Sequence, residues 1–504
     1  MRAIGFDNEK YLQEQSRYIL ERAQMFGNKL YLEFGGKLVF DYHAARILPG
    51  FDPNVKIRLL ERLRDQAEVI IAVHAGDIER RKTRADFGIT YDDDVLRLID
   101  DLRSRDILVG SVVVTRYDGQ LAADTFVRRL ERHGIKVYHH RAIRGYPVEI
   151  ERICSEQGFG GNPLIETTRP VVVVTGPGPG SGKMATCLSQ VYHEHLRGVS
   201  AGYAKFETFP IWSLPLKHPV NLAYEAATAD LADFNQVDPF HLDAYGAVAI
   251  NYNRDVEIFP VVKHILRRIM GEDRVYKSPT DMGVNRAGFA ICDDAACRHA
   301  SVQEIIRRFF RYSCEYKMGL TSRDTVDRVR ILMNELGCDE TDRTVVLPAR
   351  EAARAAEARG GGHDGIFCGA AIELPTGEMV TGKNSELLHA ASAAVLNGLK
   401  CLAGLPDQIH LLSHSVLDSV RQLKSELLRS TQASLDLEET LIALSVSAAA
   451  NPSAQAAMRA ISELRGCEMH LSHIPPPGDE AGLRKLGVNL TCDPNFSSKF
   501  LHAV

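Results

Sequence analysis

No pair of cysteines stands in a CxxC arrangement in this 504-residue chain, although ten cysteines are present. That absence removes zinc ribbons and thioredoxin-like redox motifs. A chain this long needs no disulfide framework either, and thiols scattered in apolar contexts read as small buried residues of a reduced, cytoplasmic protein. Long apolar runs are also missing. Those that occur, such as Val171–Val174, are strand-length, far short of the ~20 residues a membrane span requires. The opening Met1–Lys10 has no apolar signal core, so no membrane association is expected. Charge of one sign is lacking too: 60 Lys+Arg against 65 Asp+Glu leaves a net charge of -5. This balance argues against nucleic acid as a partner of the whole chain. Neither a repeat of fixed period nor a low-complexity tract is present. With 45% hydrophobic and 25% charged residues, the composition is that of a globular protein, and disordered, collagenous and coiled-coil classes drop out. At about 100–200 residues per domain, two to four domains are expected.

What is present first is alternation. Short β-rich runs at 30–34, 69–73, 112–114, 136–138 and 171–174 are separated by amphipathic stretches at 54–66, 92–104, 122–133 and 182–196. In the stretch 92–104, Val95, Leu96, Leu98, Ile99 and Leu102 fall at helical spacing. Continuous valine runs fit strands covered on both faces. The pattern therefore predicts an α/β domain over 1–200, a doubly wound, mostly parallel sheet. From 201 to 345 prolines punctuate long helical stretches at 222–233, 256–270, 301–317 and 322–336, which predicts a mainly helical middle region. The run Gly360-Gly361-Gly362 marks a hinge. The next boundary falls at that hinge, and 346–504 reads as a second α/β domain. It has a hairpin over 365–381 turning at Pro375-Thr376-Gly377 and a helix over 387–402 with a small-residue face. Further strands are expected at 408–412, 468–471 and 488–491.

The most specific local feature is the turn after the fifth run: Thr175-Gly176-Pro177-Gly178-Pro179-Gly180-Ser181-Gly182-Lys183-Met184-Ala185-Thr186. Strand, glycine-rich loop, lysine and helix follow in the order used to cradle phosphate. Glycines let backbone N–H groups approach an anion, the helix N-terminus adds partial positive charge, and the lysine reaches phosphoryl oxygens. The turn resembles the Walker A loop of P-loop proteins with two departures. Pro177 stands where the first glycine belongs, and Met184 replaces the hydroxyl that holds magnesium. Ser181 or Thr186 would substitute only with different geometry. The expected phosphate-binding set is Gly176, Gly178, Gly180, Ser181, Gly182, Lys183 and Thr186; the alternative is a glycine-rich turn with a solvated lysine.

Basic residues recur after two other strands. Arg80, Arg81, Lys82 and Arg84 place four cations in five positions behind the run 69–73, where open α/β sheets bind ligands. They would clamp a polyanion or, alternatively, pair with Asp86 and Asp92–Asp94 on a solvated loop. Lys37, His43 and Arg46 follow the run 30–34 and are candidates for the same crevice. The segment 276–285 carries Lys277, Ser278, Thr280, Asp281 and Asn285, side chains suited either to positioning a substrate or to turn and capping chemistry. His410, His414, His470 and His473 lie near expected strand ends; they read mainly as structural histidines, with zinc ligation the alternative.

The run Tyr31–Leu38, the segment Asp41–Arg46, the loop 176–183, the segment Tyr276–Asn285 and the ending Leu486–Thr491 closely resemble a bacterial family known as a domain of unknown function, number eighteen-forty-six. The likeness covers essentially the whole chain and implies kinship without a reaction. A weaker likeness concerns the last 140 or so residues: Cys368–Ile372, the hairpin, Thr381–Glu386 and the alanine-rich helix look like the opening of a cytidine-deaminase-type fold. His389 stands where that fold has a zinc ligand, yet no glutamate follows two residues later and no PCxxC follows Ser413. The resemblance implies a fold without zinc deamination.

Together these residues predict a cytoplasmic, homo-oligomeric α/β enzyme that binds a nucleotide or phosphorylated small molecule, with ATP or another nucleotide plus magnesium as the implied cofactor. Lys183 and Asp281 are the expected catalytic groups for a phosphoryl- or nucleotide-dependent transfer. Phosphate would lie on the glycine-rich loop, and the remaining contacts would come from Lys37, His43, Arg46, Arg80, Arg81, Lys82, Lys277, Ser278, Thr280 and Asn285. Two rivals stand beside this reading: a non-catalytic metabolite sensor or scaffold with a vestigial anion pocket, and a nucleotide-independent enzyme acting on a sugar phosphate.

Overall fold

Six short runs of apolar residues become the strands of one parallel sheet in the computed structural model, which describes residues 4–36, 38–84, 88–271, 275–360, 362, 365–429 and 433–497. They are β1 (Leu30–Phe34), β2 (Ala67–His74), β3 (Val109–Thr115), β4 (Val137–His140), β5 (Val171–Thr175) and β6 (Gly202–Phe206). The spatial order is β4-β3-β2-β5-β1-β6, and every pairing is parallel. All five residues of β1 and of β5 are buried. Side chains of a strand point alternately to opposite faces, so this burial requires cover on both sides. Between the strands lie the amphipathic helices Tyr91–Arg103, Leu121–Arg132 and Lys183–Leu196, within a residue or so of the expected positions. β6 lies just past residue 200, where the expected first region ends.

The chain divides into two compact units. The sheet belongs to the unit formed by 2–228 and 233–301, so the helical stretch Asn253–Met270 sits with it. This unit also contains a short antiparallel hairpin, β7 (Asn235–Val237) with β8 (Ile250–Tyr252).

The other unit, 229–232 with 302–504, holds a four-stranded sheet. Its strands are β9 (Gly369–Glu373), β10 (Met379–Lys383), β11 (Glu468–Leu471) and β12 (Asn489–Cys492), in the order β10-β9-β11-β12. β9 is antiparallel to both neighbours, whereas β11 and β12 are parallel. The helix Ala390–Leu402 lies close on the hairpin: a Cβ on Gly382 would sit 2.2 Å from the Ala394 amide nitrogen. That approach is what the small-residue face permits. The strand expected over Gln408–Leu412 does not form. The carbonyls of His410 and Leu411 accept from the Asn451 side chain instead of a ladder, and Leu411 and Leu412 are buried in the core as irregular chain.

Candidate functional site

The sheet's topology singles out one place on its carboxyl edge. From β2 the chain proceeds outward to β3, and from β5 it crosses past β1 to β6 on the other side. Adjacent strands whose connections leave in opposite directions open a crevice between their carboxyl ends, the usual ligand position in such sheets. The glycine-rich loop follows β5 and the basic segment follows β2, so both candidate elements leave the sheet at this point.

The loop's shape is built by its neighbours. Gly176 lies so close to β2 that a Cβ would be 2.3 Å from the Ala72 carbonyl oxygen. Gly178 faces the Tyr91 hydroxyl, which a Cβ would meet at 2.3 Å, and Gly182 rests on Thr115 at the end of β3. The Thr115 hydroxyl donates to the Ser181 carbonyl at 2.8 Å and ties the loop down. Gly180 and Gly182 take φ of +76° and +92°, a left-handed conformation that favours glycine. Pro179 and Gly180 are exposed at the lip. Gly182 is the N-cap of the helix Lys183–Leu196 and brings no side chain to its first-turn N–H groups. The Lys183 ammonium folds back over the loop, with Nζ 3.4 Å from the Gly178 carbonyl and 3.5 Å from Ser181 Oγ. Thr186 is buried in the first turns, and its hydroxyl has no hydrogen-bond partner among the described residues.

Of the basic segment, Lys82 comes nearest the loop's surroundings: its Nζ lies 5.1 Å from the centroid of the Tyr91 ring, the ring whose hydroxyl faces Gly178. Arg80 is exposed and pairs with Asp77 at 2.7 Å. Arg81 is exposed with φ +50°. Lys37 lies outside the described residues. His43, on the helix Tyr42–Ile47 with half-buried Arg46, packs its ring 5.9 Å from Phe209 and 5.8 Å from Tyr224.

The segment 276–285 is divided between two jobs. Ser278 caps the short helix Pro279–Met282, and Asp281 completes a capping box by accepting from the Lys277 and Ser278 amides. Asp281 also accepts from the Tyr245 hydroxyl, and the Lys277 ammonium lies 5.4 Å from the Tyr245 ring centroid. Thr280 and Asn285 instead line a cavity of about 50 Å³.

That cavity contains two charged residues the sequence reading missed, Lys205 near the end of β6 and Glu207 just after it, together with Asp255 in the first turn of Asn253–Met270. Lys205 Nζ is 2.7 Å from each oxygen of Asp255 and 3.3 Å from Glu207. Glu33 of β1 is the lateral partner of Lys205 in the sheet and accepts from the Tyr203 hydroxyl at 2.7 Å. Burial pulls Lys205 down, but Asp255, Glu207 and Glu33 outweigh it and hold the ammonium charged above its ordinary range. For Glu207 burial dominates; with Lys205 opposing and Asp255 and Glu33 reinforcing, its carboxyl is pushed up to about 7. Gly35 permits this placement, since a Cβ there would collide with the Glu207 side chain at 2.4 Å. The thiol of Cys187, one turn beyond Lys183, is raised by burial and Glu33 and lowered by Lys183. A charge inside each of two otherwise apolar strands, Glu33 and Lys205, was the available sequence signal.

In the other unit, His389 is the N-cap of Ala390–Leu402 and its Nδ1 lies 2.9 Å from buried Asp479. His470 and His473 are buried, and burial pulls His473 down to about 4. Among the described residues, no three His, Cys, Asp or Glu side chains are grouped so as to hold a metal ion. No helix of the described residues is long and apolar enough to cross a membrane.

Comparison with known proteins adds kinship. Residues 4–337 match the model of "Domain of unknown function DUF1846, N-terminal", and 341–502 match its C-terminal counterpart. The chain is 56% identical over 500 residues to a UPF0371 protein of Clostridium botulinum (strain Alaska E43) and 55% identical over 499 residues to one of Clostridium tetani. Each alignment covers 99% of both chains.

Proposed function

This chain belongs to the DUF1846 family, and we propose that it binds the phosphate end of a nucleotide or phosphorylated small molecule in the crevice between β2 and β5 and catalyses a phosphoryl- or nucleotide-dependent transfer. The observation that carries the reading is the loop 176–182. Its fixed bend, at the point where the strand connections diverge, leads into a helix whose first-turn amides have no side-chain cap, with the Lys183 ammonium alongside. Backbone N–H groups, helix partial charge and an ammonium together favour an oxyanion. Lys183 would stabilise charge on the transferring group, and Lys82 would add to the anion's attraction. Magnesium, if it accompanies the nucleotide, would need a holder other than Met184. The position of Met184 is also what favours the second reading, a binding protein without turnover. For the second unit we keep the deaminase-like reading as fold alone, supported by the hairpin leading into a closely packed alanine-rich helix.

Thermal-shift measurements test the assignment. ATP or GTP with magnesium, inorganic phosphate and sugar phosphates are compared on the wild type and on Lys183→Ala. At a hundredfold excess over Kd a ligand stabilises by about 2.7 kcal/mol, a shift easily read. A nucleotide shift lost in Lys183→Ala supports the proposal, and a sugar-phosphate shift without a nucleotide shift moves it to the nucleotide-independent class. A shift that survives Lys183→Ala undiminished refutes the loop as the phosphate site.

A further inference from the structure

Among the described residues, the cavity at the carboxyl end of β6 is lined by two carboxylates, Glu207 and Asp255, and one ammonium, Lys205. Glu33, the lateral neighbour of Lys205 on β1, adds a third acid beside them. Lys205 gives its two short contacts to Asp255 and stands farther, at 3.3 Å, from Glu207. Among the described residues it is the one cation within ion-pair distance of Glu207. The Glu207 side chain keeps 28% of its surface open and lines the cavity with the apolar walls of Phe209, Trp212 and Met282.

A half-neutralised carboxylate facing an aromatic-walled space is suited to a cation, which ring faces also attract. The described residues offer no three-ligand group for a metal ion. An ammonium group asks for less: one or two carboxylate acceptors and an apolar wall for its carbon. The volume of about 50 Å³ leaves room for about four water-sized groups, the size of a short aminoalkyl end.

We propose that this cavity binds the primary ammonium group of a small molecule, held by Glu207 with Asp255 and walled by Phe209 and Trp212. The site is distinct from the glycine-rich loop and stands whether or not that loop takes phosphate. Binding is linked to pH, because the ligand and a proton compete for Glu207. The groups facing Glu207 are Lys205 on β6, Asp255 from the helix Asn253–Met270, Glu33 on β1, Tyr224 from the helix Pro219–Ala227 and Tyr252 on β8. Glu207 itself titrates near neutrality.

Trp212 is the single tryptophan of the chain and lines the cavity, so its fluorescence reads occupancy in the full-length protein. The wild type is titrated with n-propylammonium chloride and, at matched ionic strength, with n-propanol and with magnesium chloride. Only propylammonium is expected to give a saturable change. Its midpoint should fall about tenfold from pH 6 to pH 8, as the ionised fraction of Glu207 rises from about a tenth to nine-tenths while the ligand stays charged. Glu207→Gln should weaken binding at least about tenfold and abolish the pH dependence, and Asp255→Asn should weaken it as well. No saturable change, an equal response to propanol, a response to magnesium instead, or a midpoint that ignores pH in the wild type would each overturn the proposal. These wild-type comparisons decide the matter even if a variant fails to fold.

Discussion

Alanine substitutions at three glycines of the loop 176–182 should separate in cost, because each glycine answers a different constraint. At Gly180 the backbone is left-handed, φ +76°, and nothing lies within 4 Å of a Cβ. Gly180→Ala therefore carries only conformational strain, about 1 kcal/mol. Gly182 combines φ +92° with Thr115 side-chain atoms at 2.8–3.0 Å from a Cβ. Displacing Thr115 also endangers its bond to the Ser181 carbonyl, worth about 1 kcal/mol, so Gly182→Ala should cost about 2–3 kcal/mol in all. At Gly176 the obstacle is the Ala72 carbonyl oxygen, 2.3 Å from a Cβ and fixed in the middle of β2. A strand backbone flanked on both sides cannot yield cheaply, and Gly176→Ala should cost at least about 2–3 kcal/mol. Urea unfolding followed by Trp212 fluorescence is the assay, since Trp212 belongs to the same compact unit as the loop. The reasoning fails if Gly180→Ala is as costly as the other two, or if Gly176→Ala is neutral. A graded result means the bend is set by the sheet, before any anion arrives.

Two further outcomes follow from single side chains. His140 at the end of β4 is buried, and burial pulls its imidazole down to about 4 from an ordinary value of 6.5. The unfolded chain therefore takes up the proton first: this contribution is intact above pH 6.5 and is lost as pH falls toward 4, by up to about 3 kcal/mol. Trp212-detected stability measured across that range should show the decline, and His140→Gln should flatten it; an unchanged slope in the variant would assign the loss elsewhere. Asp281→Ala removes the acceptor of the Lys277 and Ser278 amides and should lower stability by about 1–2 kcal/mol. A variant of wild-type stability would show that the capping box is dispensable.

What could be read in the sequence was whatever is local in the chain. The valine runs, the helical spacing of Val95, Leu98 and Leu102, and the order strand–glycines–lysine–helix each lie within some fifteen residues, and the structure places β2, β5 and the helix Lys183–Leu196 within a few residues of those expectations. The segment Gln408–Leu412 misled because buried apolar residues satisfy a strand pattern equally well when a side chain supplies their hydrogen bonds, as Asn451 does here. The same ambiguity governs Asp281 and Ser278, whose polar density is accounted for by a helix cap within four residues.

The cavity was illegible for the opposite reason: its chemistry is assembled across the chain. Glu33 and Lys205 are 172 positions apart and become neighbours only because β6 pairs with β1. That pairing depends on β1 lying between β5 and β6 in the sheet, a fact no local pattern encodes. Once the order is fixed, the rest follows from burial. An ammonium placed beside Asp255 and Glu33 stays charged, and the next carboxylate in line, Glu207, is left partly uncompensated and titrates near neutrality. On this argument the order of strands, more than any motif, creates the second site, and its charge imbalance is the consequence of one lysine serving three acids. Disturbing the lysine should therefore be felt at Glu207 first: Lys205→Met removes the opposing cation and should drive the Glu207 carboxyl further up, moving the pH dependence of ammonium binding to higher pH. A Trp212 titration that gave the same midpoint at pH 7 in Lys205→Met as in the wild type would contradict this chain of dependence.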